Sequence, residues 1–206
     1  MHIGAVYMAS GQANRFGSNK LLHEINGRPL YQYGFCHLQE ALDQLAAASV
    51  CQTTLVVVSA YEDILRWCRG RGALTQKNGE AAEGIAASVR LGIQALPAVD
   101  AYAFFVADQP CLTAASIAAF IRDYVEADAV MACAHAPGRP GNPGIFAASW
   151  RDELLDLSGD RGGAVLLRRH AKDVHFYEIP SNELADVDTP ADLSSCLSLA
   201  TDYWPL

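Results

Sequence analysis

The sequence predicts an α/β fold with a mostly parallel, three-layer sheet. Short apolar runs of the kind buried on both faces of a sheet alternate with longer segments whose apolar residues recur every three or four positions. Strands that alternate with helices along a chain favour parallel pairing through helical crossovers. The 206 residues show no internal repeat and no break in composition, so we predict a single domain over residues 1–206.

The first half of the chain begins with an apolar strand. The β-branched run Thr54–Ser59 indicates a second strand, and Pro29 is well placed to begin a helix. The polar segment Lys77–Gly84 is typical of a loop. The elements predicted here are the strand Ile3–Met8, a helix from Pro29 to about Ala47, the strand Thr54–Ser59, a helix from about Glu62 to Arg69, a helix from Ile85 that ends before Pro97, and the strand Ala103–Ala107.

The second half continues the alternation. Thr113 is a favourable N-cap, and the segment Pro137–Pro143, which is dense in proline and glycine, is predicted to be a turn or lip within the domain. Thr189–Asp192 resembles a capping box. The elements predicted here are a helix with the inward face Ile117, Phe120, Ile121, Tyr124 and Val125, the strand Ala129–Ala134, a strand-like Gly144–Ala147, short helices at Leu154–Leu155 and Val165–Leu167, the strand Val174–Ile179, and a final helix of roughly Ala191–Leu199.

Charge, hydropathy and cysteine spacing narrow the class of protein. The formal net charge of −8 argues against a nonspecific nucleic-acid binder, which would carry a basic stripe. No run approaches the roughly 18 consecutive apolar residues of a membrane span, and no signal peptide precedes the first strand. The six cysteines are scattered without a C-x-x-C pair, as expected of reduced core residues. We therefore expect a cytoplasmic protein with no nucleic-acid or membrane partner.

The loop after the first strand, Met8–Lys20, has the composition of an anion site. Its small residues are Ala9, Ser10, Gly11 and Ala13. Small side chains let a ligand approach the backbone N–H groups closely, and Arg15 and Lys20 add two positive charges, which together indicate phosphate. The spacing matches neither the Walker loop nor G-x-G-x-x-G. A small-residue turn without a function is the other interpretation of these residues alone.

Acidic side chains follow a later strand and precede the final helix. Asp108 comes directly after Ala103–Ala107 and should face the anion loop, because the carboxyl ends of parallel strands share one edge of the sheet. Asp186 and Asp188 would point the same way in an extended segment. Carboxylates from separate loops suit Mg²⁺. The other interpretations are a turn residue at Asp108 and a favourable contact with a helix dipole at Asp188.

Six motifs follow one another along nearly the whole chain. They are Gly11–Lys20 (G-x-x-x-R-F-G-x-x-K), Glu83–Gly92 (E-G-I-A-A-S-V-R-L-G), Asp108–Pro110 (D-Q-P), Gly141–Pro143 with Phe146 (G-N-P-x-x-F), Gly159–Gly162 with Leu166 and Leu167 (G-D-R-G and L-L), and Asp186–Leu193 (D-V-D-T-P-A-D-L). In this order they resemble the molybdenum cofactor cytidylyltransferase family. The resemblance implies a three-layer Rossmann-like nucleotidyltransferase fold with a mostly parallel sheet.

The resemblance also implies roles for the matching residues. Lys20, Arg15 and Asp108 would be catalytic, and Asp108 and Asp188 would hold Mg²⁺. The nucleotide-binding residues would be Ala9, Ser10, Gly11, Arg15, Lys20, Asn78, Ser88 and Asp108. The acceptor-binding residues would be Gly141, Asn142, Pro143 and Asp160.

The activity implied is transfer of CMP, with GMP as the second choice, from a nucleoside triphosphate to the phosphate of molybdopterin, with release of pyrophosphate. Ser10 lies where cytidine and guanine users of the family differ, whereas the segments around Asn142 and Asp160 favour the cytidylyl branch and CTP. A molybdenum hydroxylase is the further partner implied. Two alternatives stay open: a nucleotidyltransferase for another phosphate acceptor, such as a sugar or alcohol phosphate, and a non-catalytic molybdenum cofactor carrier for a hydroxylase.

Overall fold

The computed structural model describes residues 1–11, 19–137, 139–189 and 192. Its strands are β1 His2–Met8, β2 Glu24–Ile25, β3 Arg28–Pro29, β4 Gln52–Ser59, β5 Leu74–Lys77, β6 Ala101–Val106, β7 Met131–Ala136, β8 Arg139–Ala147 and β9 Val174–Glu178. Its α-helices are α1 Leu30–Ala47, α2 Glu62–Arg69, α3 Ile85–Ala95, α4 Ala114–Glu126, α5 Arg151–Leu155 and α6 Ala164–Arg169. Short 3₁₀ turns lie at Lys20–Leu22, Ala81–Glu83 and Ala148–Trp150.

Seven strands form one sheet in the order β5-β4-β1-β6-β8-β7-β9. β1 pairs in parallel with both β4 and β6, and β7 pairs in parallel with β9. β8 runs antiparallel between β6 and β7. The sheet is therefore mostly parallel, as predicted, with one reversed strand inserted near the β9 edge.

Alternate residues of β1 pack on opposite faces of the sheet. Ala5 and Tyr7 belong to a core shared with α1, α2 and α4, whereas Val6 and Met8 belong to a core shared with α3, α5 and α6. The buried Tyr7 hydroxyl donates a hydrogen bond to the Tyr31 carbonyl oxygen at 2.7 Å, so its polar end is satisfied. Helices cover both faces, which confirms the predicted three layers.

Most predicted elements are present within a few residues of their predicted bounds. The bounds of α2 are as predicted, and Thr113 caps α4 by accepting a hydrogen bond from the Ser116 N–H at 3.2 Å. Of the predicted capping box, the Asp192 carboxylate accepts a hydrogen bond from the Thr189 N–H at 2.7 Å. The final helix predicted at 191–199 otherwise lies outside the described residues.

The prediction of a turn at Pro137–Pro143 is wrong for most of its length. β8 begins at Arg139 and pairs with β7, whereas its pairing with β6 extends only from Gly144 to Ala147. The prolines at 140 and 143 therefore lie outside the stretch of β8 that pairs with β6, and an unpaired strand side is where a residue without an N–H is tolerated.

The short edge strand β5 was missed. Its sequence, L-T-Q-K, has a single apolar residue and no alternation long enough to indicate a strand. It forms because residues 74–77 pair with β4 at the edge of the sheet. The rest of the predicted loop, up to Gly84, is a turn and a 3₁₀ segment.

The structure bears on the expectations about the cysteines and about membrane-spanning segments. Over the described ranges, the cysteines at positions 36, 51, 68, 111 and 133 are thiols, and the last lies in β7. Burial raises the pKa of the Cys68 thiol to about 12, as befits an inert core cysteine. In the same part of the chain, each helix is too short or too polar to cross a lipid bilayer.

Candidate active site

A cleft of about 380 Å³ opens where β1 and β6 end. These strands are neighbours, with Met8 opposite Val106, so the loops that follow them leave the sheet side by side. The residues lining the cleft are Met8, Ser10, Gly11, Lys20, Leu21, Ala81, Ala82, Gly84, Ile85, Ser88, Val106, Ala107, Asp108 and Asp160. We call this the first cleft.

The ammonium group of Lys20 joins three oxygen atoms beside the first cleft. Nζ donates to Asp108 Oδ2 at 2.9 Å, to Asp188 Oδ1 at 3.0 Å and to the Val187 carbonyl oxygen at 2.9 Å. The Val187 N–H donates in turn to the Asp108 carbonyl oxygen at 2.9 Å. The loops after β1 and β6 therefore face each other as predicted. The segment around Asp188 completes the group of Lys20, Asp108 and Asp188, which we call the Lys20 cluster.

Charge and burial work against each other at Lys20. The residue is 8% exposed, and burial by itself lowers the pKa of its ammonium group. The Asp108 and Asp188 carboxylates outweigh that effect, so the pKa of Lys20 is raised from its ordinary value. Lys20 is therefore a cation at neutral pH, and one ammonium between two carboxylates leaves a formal charge of −1.

The opposite wall of the first cleft is the N-terminal end of α3. Gly84, Ile85 and Ser88 line the cleft there. The first N–H groups of an eleven-residue helix carry partial positive charge and favour an anion. Gly84 has φ of 96° and packs against the backbone of Gly159, so this approach requires a residue without Cβ.

The nucleotide residues predicted from sequence fall into three groups. Lys20, Asp108, Ser10, Gly11 and Ser88 line the first cleft. Ala9 and Asn78 do not line this cleft but are hydrogen-bonded to residues next to it. Arg15 lies outside the described residues.

Ala9 and Asn78 are bonded to the scaffold. The Ala9 N–H donates to the Val58 carbonyl oxygen at 2.8 Å, so this N–H group is bonded within the sheet. The Asn78 amide donates to Ser88 Oγ at 3.1 Å and accepts from the Glu80 N–H at 2.9 Å, which fixes the turn before α3.

A second cleft of about 630 Å³ lies next to the first. It is lined by Gln109, Cys133, Ala136, Gly141, Asn142, Ala164, Leu167, Arg168, Ala171, Phe176, Ser181, Leu184 and Asp186. Asp108 lines the first cleft and the next residue, Gln109, lines the second, and Asp186, two residues before Asp188, lines the second as well. The segments that carry the Lys20 cluster thus run from one cleft to the other, and clefts so placed can hold two substrates close to each other.

The sequence places the chain in a family. Residues 5–174 match the MobA-like NTP transferase domain. The chain belongs to this family. The protein is thus a nucleotidyltransferase of the MobA-like type, and among proteins with curated functions no sequence matches it.

Solved structures share the fold of this NTP transferase at low sequence identity. A nucleotidyl transferase from Methanothermobacter thermautotroptrophicus has a TM-score of 0.75 and 18% identity, covering 96% of this chain and 98% of that one. Rv0371c from Mycobacterium tuberculosis, in complex with manganese, has a TM-score of 0.72 and 18% identity over 95% and 98%. Molybdopterin-guanine dinucleotide biosynthesis protein A from Archaeoglobus fulgidus has a TM-score of 0.68 and 18% identity over 97% and 99%.

The residues predicted for the acceptor do not form one group in this NTP transferase. Gly141 and Asn142 line the second cleft, whereas Asp160 lines the first, beside Gly84. Pro143 is buried in β8 and lines neither cleft. Asp160 lies apart from Gly141 and Asn142 because the turn at Gly159 packs on the start of α3.

Asp186 and Asp188, which would point the same way in an extended segment, have different partners in the structure. Asp188 contacts Lys20, whereas Asp186 Oδ1 accepts a hydrogen bond from Gln109 Nε2 at 2.9 Å and lines the second cleft. The segment forms no strand, so strand alternation does not govern its side chains. Asp188 is the carboxylate that faces Asp108.

The oxygen atoms around Lys20 are of the kind that bind Mg²⁺. Two carboxylates converge on one position, which matches the one or two carboxylates by which proteins usually hold this ion. Within the described ranges no third His, Cys, Asp or Glu side chain joins them, which leaves room for substrate phosphates and water. The donor set therefore fits a divalent cation.

Two contributors to the site were missed by sequence reasoning. Gln109 is 4% exposed and ties the loop after β6 to the segment that carries Asp186, donating also to the Leu184 carbonyl oxygen at 3.2 Å. Its place within D-Q-P was a usable signal. The contribution of the Val187 carbonyl could not be predicted from the sequence, because every residue has a main-chain carbonyl and none is marked by its side chain.

Proposed function

We propose that this NTP transferase moves CMP from CTP to the phosphate of a molybdopterin-type acceptor and releases pyrophosphate. The observation that carries the proposal is the cluster of Lys20, Asp108 and Asp188 at the boundary between two clefts. A transferase must bring a donor and an acceptor together at one charged point. GMP transfer from GTP is the second choice of nucleotide.

The first cleft is the proposed nucleotide site. Ser10, Gly11 and Ser88 line it together with the start of α3, and Lys20 lies at its edge. A helix N-terminus and an ammonium group together favour a phosphate chain. Arg15 keeps its predicted role on the phosphates, because in the sequence it stands between Gly11 and Lys20, which both line this cleft.

Asp108 and Asp188 are the proposed ligands of Mg²⁺. When bound, this ion would offset the negative charge that develops on the phosphates. Asp108 lies at the end of a strand paired within the sheet, and Asp188 is held through Val187, whose N–H bonds to the Asp108 carbonyl. The backbone of the two segments that carry these carboxylates is therefore joined by a hydrogen bond.

The proposed reaction is an in-line displacement. An acceptor phosphate oxygen attacks the α-phosphorus of the nucleotide, a new P–O bond forms, and the bond to the bridging oxygen of the leaving pyrophosphate breaks. The protein supplies no covalent nucleophile, so its contribution is positioning and charge stabilisation. Lys20 would neutralise charge on the α-phosphate and the leaving group.

The second cleft is the proposed acceptor site. Leu167, Phe176 and Leu184 give it an apolar wall, and Asn142 and Arg168 add an amide and a cation. An apolar wall supports an acceptor with a flat heteroaromatic body, such as a pterin, over a sugar phosphate. A molybdenum hydroxylase would take the product.

The carrier alternative is less well supported. A protein that only delivers a cofactor has no evident need for an ammonium and two carboxylates joined at the edge of a nucleotide-sized cleft. A nucleotidyltransferase for a sugar or alcohol phosphate would use the same cluster, since the fold does not fix the acceptor.

Pyrophosphate release in a matrix of substrates tests the proposal. CTP, GTP, ATP and UTP are each incubated with Mg²⁺ and with molybdopterin, molybdenum cofactor, a sugar phosphate or an alcohol phosphate. We expect release only with a pterin acceptor and fastest with CTP. Release with a sugar phosphate alone would overturn the acceptor, and no release with any pair while molybdopterin binds tightly would support the carrier.

A further inference from the structure

The ammonium group of Lys20 has no donor left for a ligand. An ammonium group has three N–H donors, and Lys20 directs them to Asp108, Asp188 and the Val187 carbonyl at 2.9 to 3.0 Å. The side chain is also nearly buried. In this arrangement Lys20 cannot donate to a phosphate without giving up one of its three acceptors.

The two carboxylates that Lys20 contacts are also the proposed ligands of the divalent cation. Mg²⁺ requires oxygen ligands at about 2.0–2.1 Å, much closer than the 2.9 to 3.0 Å between Nζ and the carboxylates. Two cations bound to the same pair of carboxylates would lie only a few ångströms apart and would repel each other strongly. A divalent cation and Lys20 therefore compete for one position.

A phosphate chain in the first cleft offers Lys20 another partner. Lys20 itself lines this cleft, so its flexible side chain can turn from the carboxylates to an anion held there. Such a turn would leave the oxygens of Asp108 and Asp188 to the divalent cation. Each ligand thus removes an obstacle to the other.

We propose that Lys20 is an internal cation that occupies the divalent-cation position until nucleotide and metal bind, so that the two ligands bind with positive coupling. The inference rests on the proposed nucleotide and metal sites. It assigns Lys20 a second role, which is to withhold the carboxylates from free metal ions. By linkage, the metal must strengthen nucleotide binding by the same factor as nucleotide strengthens metal binding.

Manganese binding to the full-length chain without nucleotide is the first test. Free Mn²⁺ is measured by electron paramagnetic resonance with the wild type, Lys20→Met and, as a matched control on the exposed surface, Lys172→Met. We expect Lys20→Met to bind Mn²⁺ on the order of tenfold more tightly than the wild type, because the competing ammonium is gone. The control should match the wild type, and Asp108→Asn added to Lys20→Met should abolish binding.

Nucleotide binding supplies the second half of the test. The Kd of α,β-methylene CTP is measured for the wild type and Lys20→Met, each with and without Mn²⁺. We expect Mn²⁺ to strengthen nucleotide binding by a larger factor in the wild type than in Lys20→Met, because only the wild type has an ammonium group that the ion releases to the phosphates. A purely structural role for Lys20 would weaken nucleotide binding by the same factor with and without Mn²⁺.

A measurement on the wild type covers the case in which Lys20→Met does not fold. Acetylation of Lys20 and Lys172 is followed by mass spectrometry as Mg²⁺ is added alone. We expect acetylation of Lys20 to increase several-fold as the ion displaces it, with no change at Lys172. An unchanged rate at a Mg²⁺ concentration that fills the site would overturn the inference.

The outcomes separate this inference from the proposed function. Equal Mn²⁺ affinity in the wild type and Lys20→Met, with nucleotide still bound, would overturn the competition and leave the nucleotidyltransferase proposal standing. If neither protein bound nucleotide or Mn²⁺ at all, both proposals would be overturned.

Discussion

Asp108 is the residue on which the account of the site depends most. Its carboxylate bonds to Lys20, its carbonyl oxygen accepts from the Val187 N–H, and its neighbour Gln109 begins the second cleft. The side chain is thus held by the sheet on one side and by the segment carrying Asp188 on the other. An amide in its place would keep the shape and remove the charge.

We predict that Asp108→Asn loses turnover by on the order of 10²-fold or more, because a preorganised charge at the reaction centre is removed. The protein should remain folded, since the amide keeps a hydrogen-bonding oxygen. Steady-state pyrophosphate release and circular dichroism measure the two effects. Asp43→Asn, an exposed position on α1, is the control and should behave as the wild type. Near-normal turnover in Asp108→Asn would remove this carboxylate from the site.

The side chains of the cluster were predictable, and its main-chain partner was not. Lys20 and Asp108 each follow a strand, and the rule that parallel strands end at one edge places them together. The sequence indicated both Asp186 and Asp188 as acids that could approach the site. It could not distinguish them, because side chains in an irregular segment do not alternate between two faces as they do in a strand. The Val187 carbonyl contributes through backbone geometry alone, which no side-chain pattern encodes.

At the scale of elements, the site depends on how the start of α3 is held. The Ala86 N–H donates to the Gly159 carbonyl oxygen at 3.1 Å, which fixes the helix to the turn that carries Asp160. A Cβ on Gly84 would lie 2.5 Å from the Gly159 carbonyl carbon and 2.6 Å from its oxygen. Backbone cannot move aside as the end of a side chain can.

We predict that Gly84→Ala destabilises the fold by about 2 kcal/mol or more, through backbone strain at positive φ and the clash with Gly159. Nucleotide binding should weaken as well, because the start of α3 and Asp160 both line the first cleft. Urea denaturation and nucleotide titration measure the two effects. Gly79→Ala is the control, since its Cβ would meet nothing within 4 Å. Equal stability of the two variants would contradict the packing described.

The cap of α4 gives a second test at this scale. Thr113 Oγ1 accepts from the Ser116 N–H and donates to a Glu183 carboxylate oxygen at 2.9 Å. We predict that Thr113→Ala lowers the free energy of unfolding by about 1 kcal/mol, the usual loss for an N-cap. Thr113→Ser keeps the hydroxyl and should restore most of it. A loss of the same size in both variants, seen in urea denaturation, would show that the methyl group matters and the cap does not.

The long periodic elements were predictable and the two irregular strands were not. Helices such as α1 and buried runs such as β4 carry strong period signals. β5 is too short to show alternation, and β8 contains prolines whose local preference is for a turn. In both cases tertiary pairing with a neighbouring strand overrides the local signal.

At the scale of the whole molecule, the sheet separates two cores and brings its functional loops to one edge. Helices α1, α2 and α4 cover one face, and α3, α5 and α6 cover the other. The alternation along the sequence predicted this layering, because each buried strand needs apolar cover on both sides. That residues 1–206 form one domain stays a prediction.

Ligand binding should stabilise the whole fold. A nucleotide at 100 times its Kd adds about 2.7 kcal/mol to the free energy of unfolding when it binds only the folded chain. We predict a rise in Tm with CTP and Mg²⁺ together that exceeds the sum of the rises with each alone. GTP should give a smaller rise. A larger rise with GTP than with CTP would keep the chemistry and reassign the nucleotide.

Transfer of label from two positions of CTP tests the central claim most directly. The protein is incubated with Mg²⁺, molybdenum cofactor and CTP labelled with ³²P at either the α- or the γ-phosphate, and the products are separated. Nucleotidyl transfer at the Lys20 cluster predicts that the α-label appears in the pterin product and the γ-label in pyrophosphate. Label from the γ-position in the pterin product, or no labelled product from either, would contradict the account.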